Sequence, residues 1–185
     1  IANNASTWNE LQKVAEGKKL KYWFLGGGCY TGQEGGLMPN RLLSGLMSFK
    51  IGVTGHLSYT YQSYGKNPYD NFTAKSYAMT YPALKPSLEK ISVFTLEWEG
   101  IREGITDYQY LYTLKQTIAQ ARKKGKKAEA DAAQAVLDRI LAAVPWNDDF
   151  RPGKGLADEV NLDNAKADRF RAMAADAILK LMEVL

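Results

Sequence analysis

Two glycines four residues apart place the tightest constraint on how this chain can fold. They lie in EWEGIREGITDYQYLYTL, residues 97–114, where the apolar spacing predicts a helix. A glycine inside a helix costs about 1 kcal/mol relative to alanine. Residues i and i+4 share a helix face, so Gly100 and Gly104 present a face without Cβ atoms. The pattern predicts that something, a strand or a second helix, lies directly against that face. Tyr108 and Tyr112, also four apart, are expected to pack with their hydroxyls hydrogen-bonded.

The chain has 185 residues, enough for one domain with its own core. At 45% hydrophobic and 24% charged it has an ordinary globular composition. No apolar run approaches the roughly 18 residues needed to span a bilayer, so no membrane span is expected. The opening IANNASTWNELQ lacks the basic start and apolar centre of a signal peptide. It also lacks an initiator Met, so a processed, truncated or partial chain is expected. The net charge of +4 is spread over both halves. The dense run RKKGKK, Arg122 to Lys127, reads as a solvated helix end, where cations suit the dipole. No nucleic-acid partner is expected. A single Cys, Cys29, and a single His, His56, exclude an internal disulfide and argue against a metal centre. No metal and no cofactor are expected.

The two halves differ in character. All 11 tyrosines lie at or before Tyr112, and the remainder is rich in Ala, Lys and Leu. STWNELQKVAEG predicts a short helix ending at Gly17. Tyr22 to Leu25 predict a buried strand, followed by the loop GGGCYTGQEGGLMP. NRLLSGLMSFKIG predicts a helix from an Asn40 cap to a Gly52 stop. VTGHLSYTYQSYG then reads as a strand, which makes a βαβ unit with parallel strands. AKSYAMTYP is a third β-like segment. Helices are predicted over roughly 88–124, 128–144 and 162–185.

SVFTLEWEGIREGITDYQYLYTL resembles the C-terminal signature of the domain-of-unknown-function family 4091, which overlaps the catalytic domain of glycoside hydrolase family 123. Arg102, Glu103, Gly104, Ile105, Asp107, Tyr108, Tyr110 and Leu111 match it. Thr106 and Gln109 each replace a carboxylate. NRLLSGLMSFKIGVTGHLSYTY is similar to the family's segment in which an Arg-initiated helix leads to a Gly-x-Leu-x-aromatic strand, carried by Arg41, Gly52, Gly55, Leu57 and Tyr59. KYWFLGGGCY is similar to the aromatic strand before that helix. The resemblance implies an α/β fold: the C-terminal part of a (β/α)8 TIM-like barrel, about three strands, followed by C-terminal α-helices. Residues 1–125 would hold the last strands and the closing helix, and 126–185 terminal helices packed on the same domain.

The resemblance further implies a segment of a carbohydrate-active protein, hydrolysing or binding a glycoside such as an N-acetylhexosaminide. The acidic catalytic pair of the family would lie upstream, because no adjacent acidic pair follows a strand here. Asp148–Asp149 and Asp158–Glu159 fall in a loop between predicted helices. Implied partners are a carbohydrate and the rest of the barrel or a second chain, in a secreted or periplasmic setting. Substrate contacts are expected at strand ends: Tyr30, Tyr59 and Tyr61, with Glu34 in the glycine loop. Arg102, Glu103, Gly104, Asp107 and Tyr108 are expected to act structurally. Glu97, Glu99, Glu103 and Asp107 suggest an acid/base pair, but Glu99 and Glu103, at i and i+4 beside Arg102, read more simply as a surface or helix-packing network. His56 is expected to be a core or barrel-lining histidine. The alternative reading is a non-catalytic helical interaction domain that binds another protein.

Overall fold

A computed structural model describes residues 5–21, 23–26, 37–58, 62–63, 77–81, 93–144 and 162–185. Helix α1 spans Ala5–Gly17 and strand β1 spans Trp23–Gly26. One continuous helical segment follows, made of α2 (Leu37–Leu42), a π-helical turn (Leu43–Met47) and α3 (Ser48–Lys50). Strand β2, Gly55–Ser58, pairs parallel with β1 in the register Trp23↔Gly55 to Gly26↔Ser58. The predicted βαβ unit therefore forms. Its helix stops as expected: Gly52 has φ +73°, Val53 N–H reaches Ser48 O, and Gly52 N–H reaches Phe49 O. That pair of bonds defines a Schellman cap.

The remaining strands are short. β3 (Gln62–Ser63) pairs antiparallel with β4 (Tyr77–Ala78), and β5 (Thr80–Tyr81) with β6 (Val93–Phe94). Three long helices complete the described residues: α4 (Leu96–Lys123), α5 (Lys127–Ala142) and α6 (Asn164–Met182). Thr95 caps α4 by accepting Trp98 N–H at 3.2 Å, and Asp163 caps α6 by accepting Lys166 N–H at 2.6 Å. A second Schellman pair, Lys126 N–H to Ala121 O and Gly125 N–H to Arg122 O, turns α4 into α5. The core runs along these helices through Leu111, Leu114, Ile118, Ile140, Ala174 and Leu181.

The expectation of a TIM-like barrel portion is overturned. The described residues are mostly helical, and their strands pair only two by two, without a common sheet. The aromatic-rich 77–81 segment does have β character, but Met79 interrupts it. The Met79 carbonyl accepts both the backbone N–H of Thr95 (3.2 Å) and its Oγ (2.9 Å). That segment therefore anchors the start of α4 instead of extending the β1–β2 pair. Strand propensity reports a fit to a pleated surface, and here helices bury the apolar side chains.

The glycine face does meet a close neighbour, and it is a helix. A Cβ on Gly100 would sit 2.3 Å from Leu37 O, and one on Gly104 would sit 2.5 Å from Arg41 O. A third glycine answers from the other side: a Cβ on Gly45 would lie 2.6 Å from Gly104 O. Thus α4 lies backbone to backbone on α2 and the π-turn, not on strands.

A charged network locks this crossing. Arg41 Nε and Nη2 donate to Asp107 Oδ2 and Oδ1 at 2.7 and 3.2 Å, a bidentate pair with side chains only 4% and 2% exposed. Arg171 of α6 also binds Asp107 Oδ1, at 2.7 Å through Nε, and reaches Glu103 Oε2 at 2.7 Å. Arg41 Nη2 further meets Asp168, an exposed carboxylate, at 2.7 Å. Arg102 stands apart from this packing. It is exposed on the surface and pairs with Glu99 and Glu103, each at 2.7 Å. Tyr108 donates its hydroxyl to Val53 O at 3.2 Å and meets Phe49 edge-on at 5.4 Å, whereas Tyr112 is exposed. Lys50 ties the front to the back, donating to Leu141 O and Val144 O at the end of α5.

Four substitutions test this account by urea unfolding. Gly104→Ala is expected to lower stability by about 2 kcal/mol or more, although alanine favours a helix, because backbone atoms cannot yield to the new methyl. Gly17→Ala, with nothing within 4 Å of its Cβ, is expected to leave stability unchanged or raise it by up to about 1 kcal/mol. Asp107→Ala is expected to cost about 3–5 kcal/mol by stranding Arg41, and Asp168→Ala under about 1 kcal/mol.

Candidate functional site

The helix crossing opens a cavity of about 270 Å³ on one flank. Its walls come from the π-turn, β2 with the turn before it, Met79, and α4. On α4, Ile101, Ile105 and Tyr108 lie at i, i+4 and i+7 and form an apolar and aromatic wall. Ser44, Thr54 and His56 supply polar groups opposite in character. The π-turn explains how Ser44 reaches this place beside a glycine in backbone contact. It carries one residue more per turn than an α-helix, and such turns recur at functional sites. Ser48 supports it by donating its hydroxyl to Leu43 O at 2.5 Å.

A hydrogen bond of 2.9 Å joins Ser44 Oγ and His56 Nδ1. Burial pushes the His56 imidazole below its ordinary value, so it is neutral at physiological pH. Burial likewise raises the Tyr108 phenol, with a further contribution from Tyr112. The cavity therefore offers neutral hydrogen-bonding groups against an apolar face.

Glu97 lies one turn from this wall. It is 2% exposed, and neither carboxyl oxygen has a hydrogen-bond partner among the described residues. Burial pushes its pKa up to about 8. Glu103 shifts the other way, held below the usual carboxylate range by the hydrogen bond from Arg171.

The expected substrate contacts Tyr30, Tyr59, Tyr61 and Glu34 lie outside the described residues, as do Cys29, Asp148–Asp149 and Asp158–Glu159. Of the signature residues, Glu103, Gly104 and Asp107 meet in the helix crossing, Tyr108 joins both crossing and cavity, and Arg102 is peripheral. His56 is partly buried and faces the cavity, not a barrel interior. Ser44 has no role in the sequence expectations, and Glu97 stands there only among the acids that suggest an acid/base pair. A cue for Glu97 was present, since it sits three and seven residues before Gly100 and Gly104 and so shares their face. Nothing in the local sequence marks Ser44.

The described residues thus define a helix-dominated domain with a small cavity of mixed polarity beside a glycine-mediated helix crossing. No family model matches the chain, and no curated protein matches it. Among the described residues, no group of three or more His, Cys, Asp or Glu could hold a metal ion, and no helix is long and apolar enough to cross a membrane.

The buried carboxyl of Glu97 makes a prediction about pH. Below its unfolded value of 4.5 it is protonated in both states and carries no ionisation penalty. As pH rises, the unfolded chain releases the proton first, so stability is lost progressively until about pH 8 and is flat beyond. Glu97→Gln is expected to remove this dependence and to stabilise the protein by roughly 3 kcal/mol at neutral pH. Urea unfolding of both proteins across that window checks it; parallel curves would contradict the assignment.

Proposed function

We propose that this chain belongs to a carbohydrate-active protein and binds a saccharide in the cavity between the π-turn, β2 and α4. The observation that carries the reading is the cavity's composition. Neutral donors and acceptors from Ser44, Thr54 and His56 share one small space with Ile101, Ile105 and Tyr108. A sugar ring has hydroxyl edges and an apolar C–H face, so it needs both kinds of wall. The resemblance to family 4091 and glycoside hydrolase family 123 supports the same class. Two of the residues that carry it in separate segments, Arg41 and Asp107, form a bidentate pair here. The reading extends to binding of a glycoside, with an N-acetylhexosaminide the first to try.

Calorimetric titration with N-acetylglucosamine, N-acetylgalactosamine, glucose, galactose and their methyl glycosides tests the proposal. Binding in the millimolar range or tighter is expected, with Ser44→Ala and His56→Ala each weakening it about tenfold, equivalent to roughly 1.4 kcal/mol. Absence of binding up to about 10 mM sugar would reject the reading.

The second reading, a non-catalytic interaction domain, rests on a different observation. Val93, Phe94 and Leu96 are consecutive or nearly so and all exposed, and Phe94 stacks on Trp98 with centroids 5.2 Å apart. An apolar patch of that kind suits a protein partner. The same titration separates the readings, because an interaction domain takes up no sugar.

A further inference from the structure

Ser44, Ser48 and Tyr108 each bring a hydroxyl to the cavity, and their partners differ in kind. Ser48 donates to Leu43 O and Tyr108 to Val53 O, carbonyls that hold a hydroxyl in place and take no proton from it. Ser44 Oγ instead lies 2.9 Å from His56 Nδ1, and both of these residues line the cavity. A serine hydroxyl within hydrogen-bond reach of an imidazole nitrogen is the pairing that activates serine as a nucleophile. The two side chains come from separate elements, the π-turn and β2, so the fold and not the local sequence brings them together.

Both groups are held in place. Ser44 precedes Gly45, whose Cβ would lie 2.6 Å from Gly104 O, and a Cβ on Gly104 would meet Ser44 Cβ at 2.9 Å. Helix packing therefore fixes the backbone that carries the hydroxyl. His56 stands in register with Phe24 of β1. Burial keeps the imidazole neutral at physiological pH, which leaves one ring nitrogen able to accept a proton. The cavity of about 270 Å³ is several times the ~30 Å³ share of one liquid water. Met79, Ile101 and Ile105 give it an apolar side. A short acyl chain suits that side, with its carbonyl carbon beside Ser44.

We propose that Ser44 and His56 form a nucleophile–base dyad that hydrolyses esters of short-chain carboxylic acids. With its hydrogen on Nε2, His56 accepts the Ser44 O–H through Nδ1. Ser44 Oγ attacks the ester carbonyl carbon. The new C–O bond forms as the Ser44 proton passes to Nδ1 and the carbonyl oxygen takes the negative charge. The tetrahedral adduct then collapses: the bond to the alkoxy oxygen breaks, His56 gives that oxygen the proton, and the alcohol departs from an acyl–serine. A water molecule repeats the sequence. It gives a proton to His56 and attacks the acyl carbon, and the carboxylic acid is released as Ser44 Oγ recovers its hydrogen. The reaction requires only an ester carbonyl and water, so it stands apart from the saccharide reading above.

The test treats the full chain at about pH 7.5 with an alkyl fluorophosphonate and, separately, with para-nitrophenyl acetate. The fluorophosphonate forms an Oγ–P bond with loss of fluoride, and peptide mass spectrometry locates the stable adduct. Wild type is compared with Ser44→Ala and His56→Ala, each verified as folded by circular dichroism. Wild type is expected to carry the adduct on Ser44 and to release nitrophenolate. His56→Ala is expected to slow both reactions at least about a hundredfold. Ser44→Ala is expected to lose the adduct at that position and to slow ester turnover by a similar factor. Should either variant fail to fold, the position of the wild-type adduct decides alone. A folded wild type with no adduct on Ser44 overturns the dyad. So does an adduct that forms as fast in His56→Ala, or ester turnover that Ser44→Ala leaves unchanged. None of these results bears on the sugar titration, which reads binding alone.

Discussion

The contact of bare backbone between α4 and the α2–π-turn segment is the constraint on which the rest of this structure depends. Three glycines, Gly45, Gly100 and Gly104, remove the side chains that would hold the helices apart. The short separation brings Arg41 close enough to grip Asp107 with two hydrogen bonds. The desolvation of two charges is unfavourable and is offset only by good geometry and full hydrogen bonding. Arg171 and Glu103 extend that satisfaction to α6. Backbone proximity and ionic pairing therefore require one another: the first sets the distance, and the second fixes rotation and register.

The cavity lies on the flank of the same crossing. Helices that approach closely on one side diverge where larger residues begin, and Ile101, Ile105 and Tyr108 mark that divergence. The cavity is thus a by-product of asymmetry across α4, glycine on one face and bulky apolar residues beside it. Ser44 and Gly45 are neighbours in sequence with opposite duties, one facing the cavity and the other closing the crossing. Cavity shape and helix packing are consequently coupled through a single peptide unit.

Much of this was legible residue by residue. Glycine spacing foretold a close approach, Gly52 foretold a helix stop, and the strand–helix–strand order foretold the parallel β1–β2 pair. What covers the glycine face could not be read, because a Cβ-free stripe accepts a strand as well as a helix. The barrel expectation failed for a related reason. Short aromatic runs such as 77–81 favour extended backbone, yet pairing partners are chosen by tertiary contacts, and here Met79 O is taken by Thr95. Ser44 was invisible at the cavity for a physical reason as well. A serine within an apolar helix carries no periodic signal that separates cavity from core, whereas the burial of Glu97 was legible in its spacing from Gly100 and Gly104.

The π-turn between α2 and α3 acts as a phase adjuster. It fits one extra residue into a turn without breaking the helix, so the rotation of about 100° that a plain insertion would add is absorbed within 43–47. The segments downstream therefore stay in phase with α2, including Lys50, whose ammonium reaches the α5 carbonyls. Loss of a single residue from 43–47 would restore regular winding and leave those groups near their azimuth. Its effect would fall inside the turn, on Ser44 at the cavity and Gly45 at the crossing.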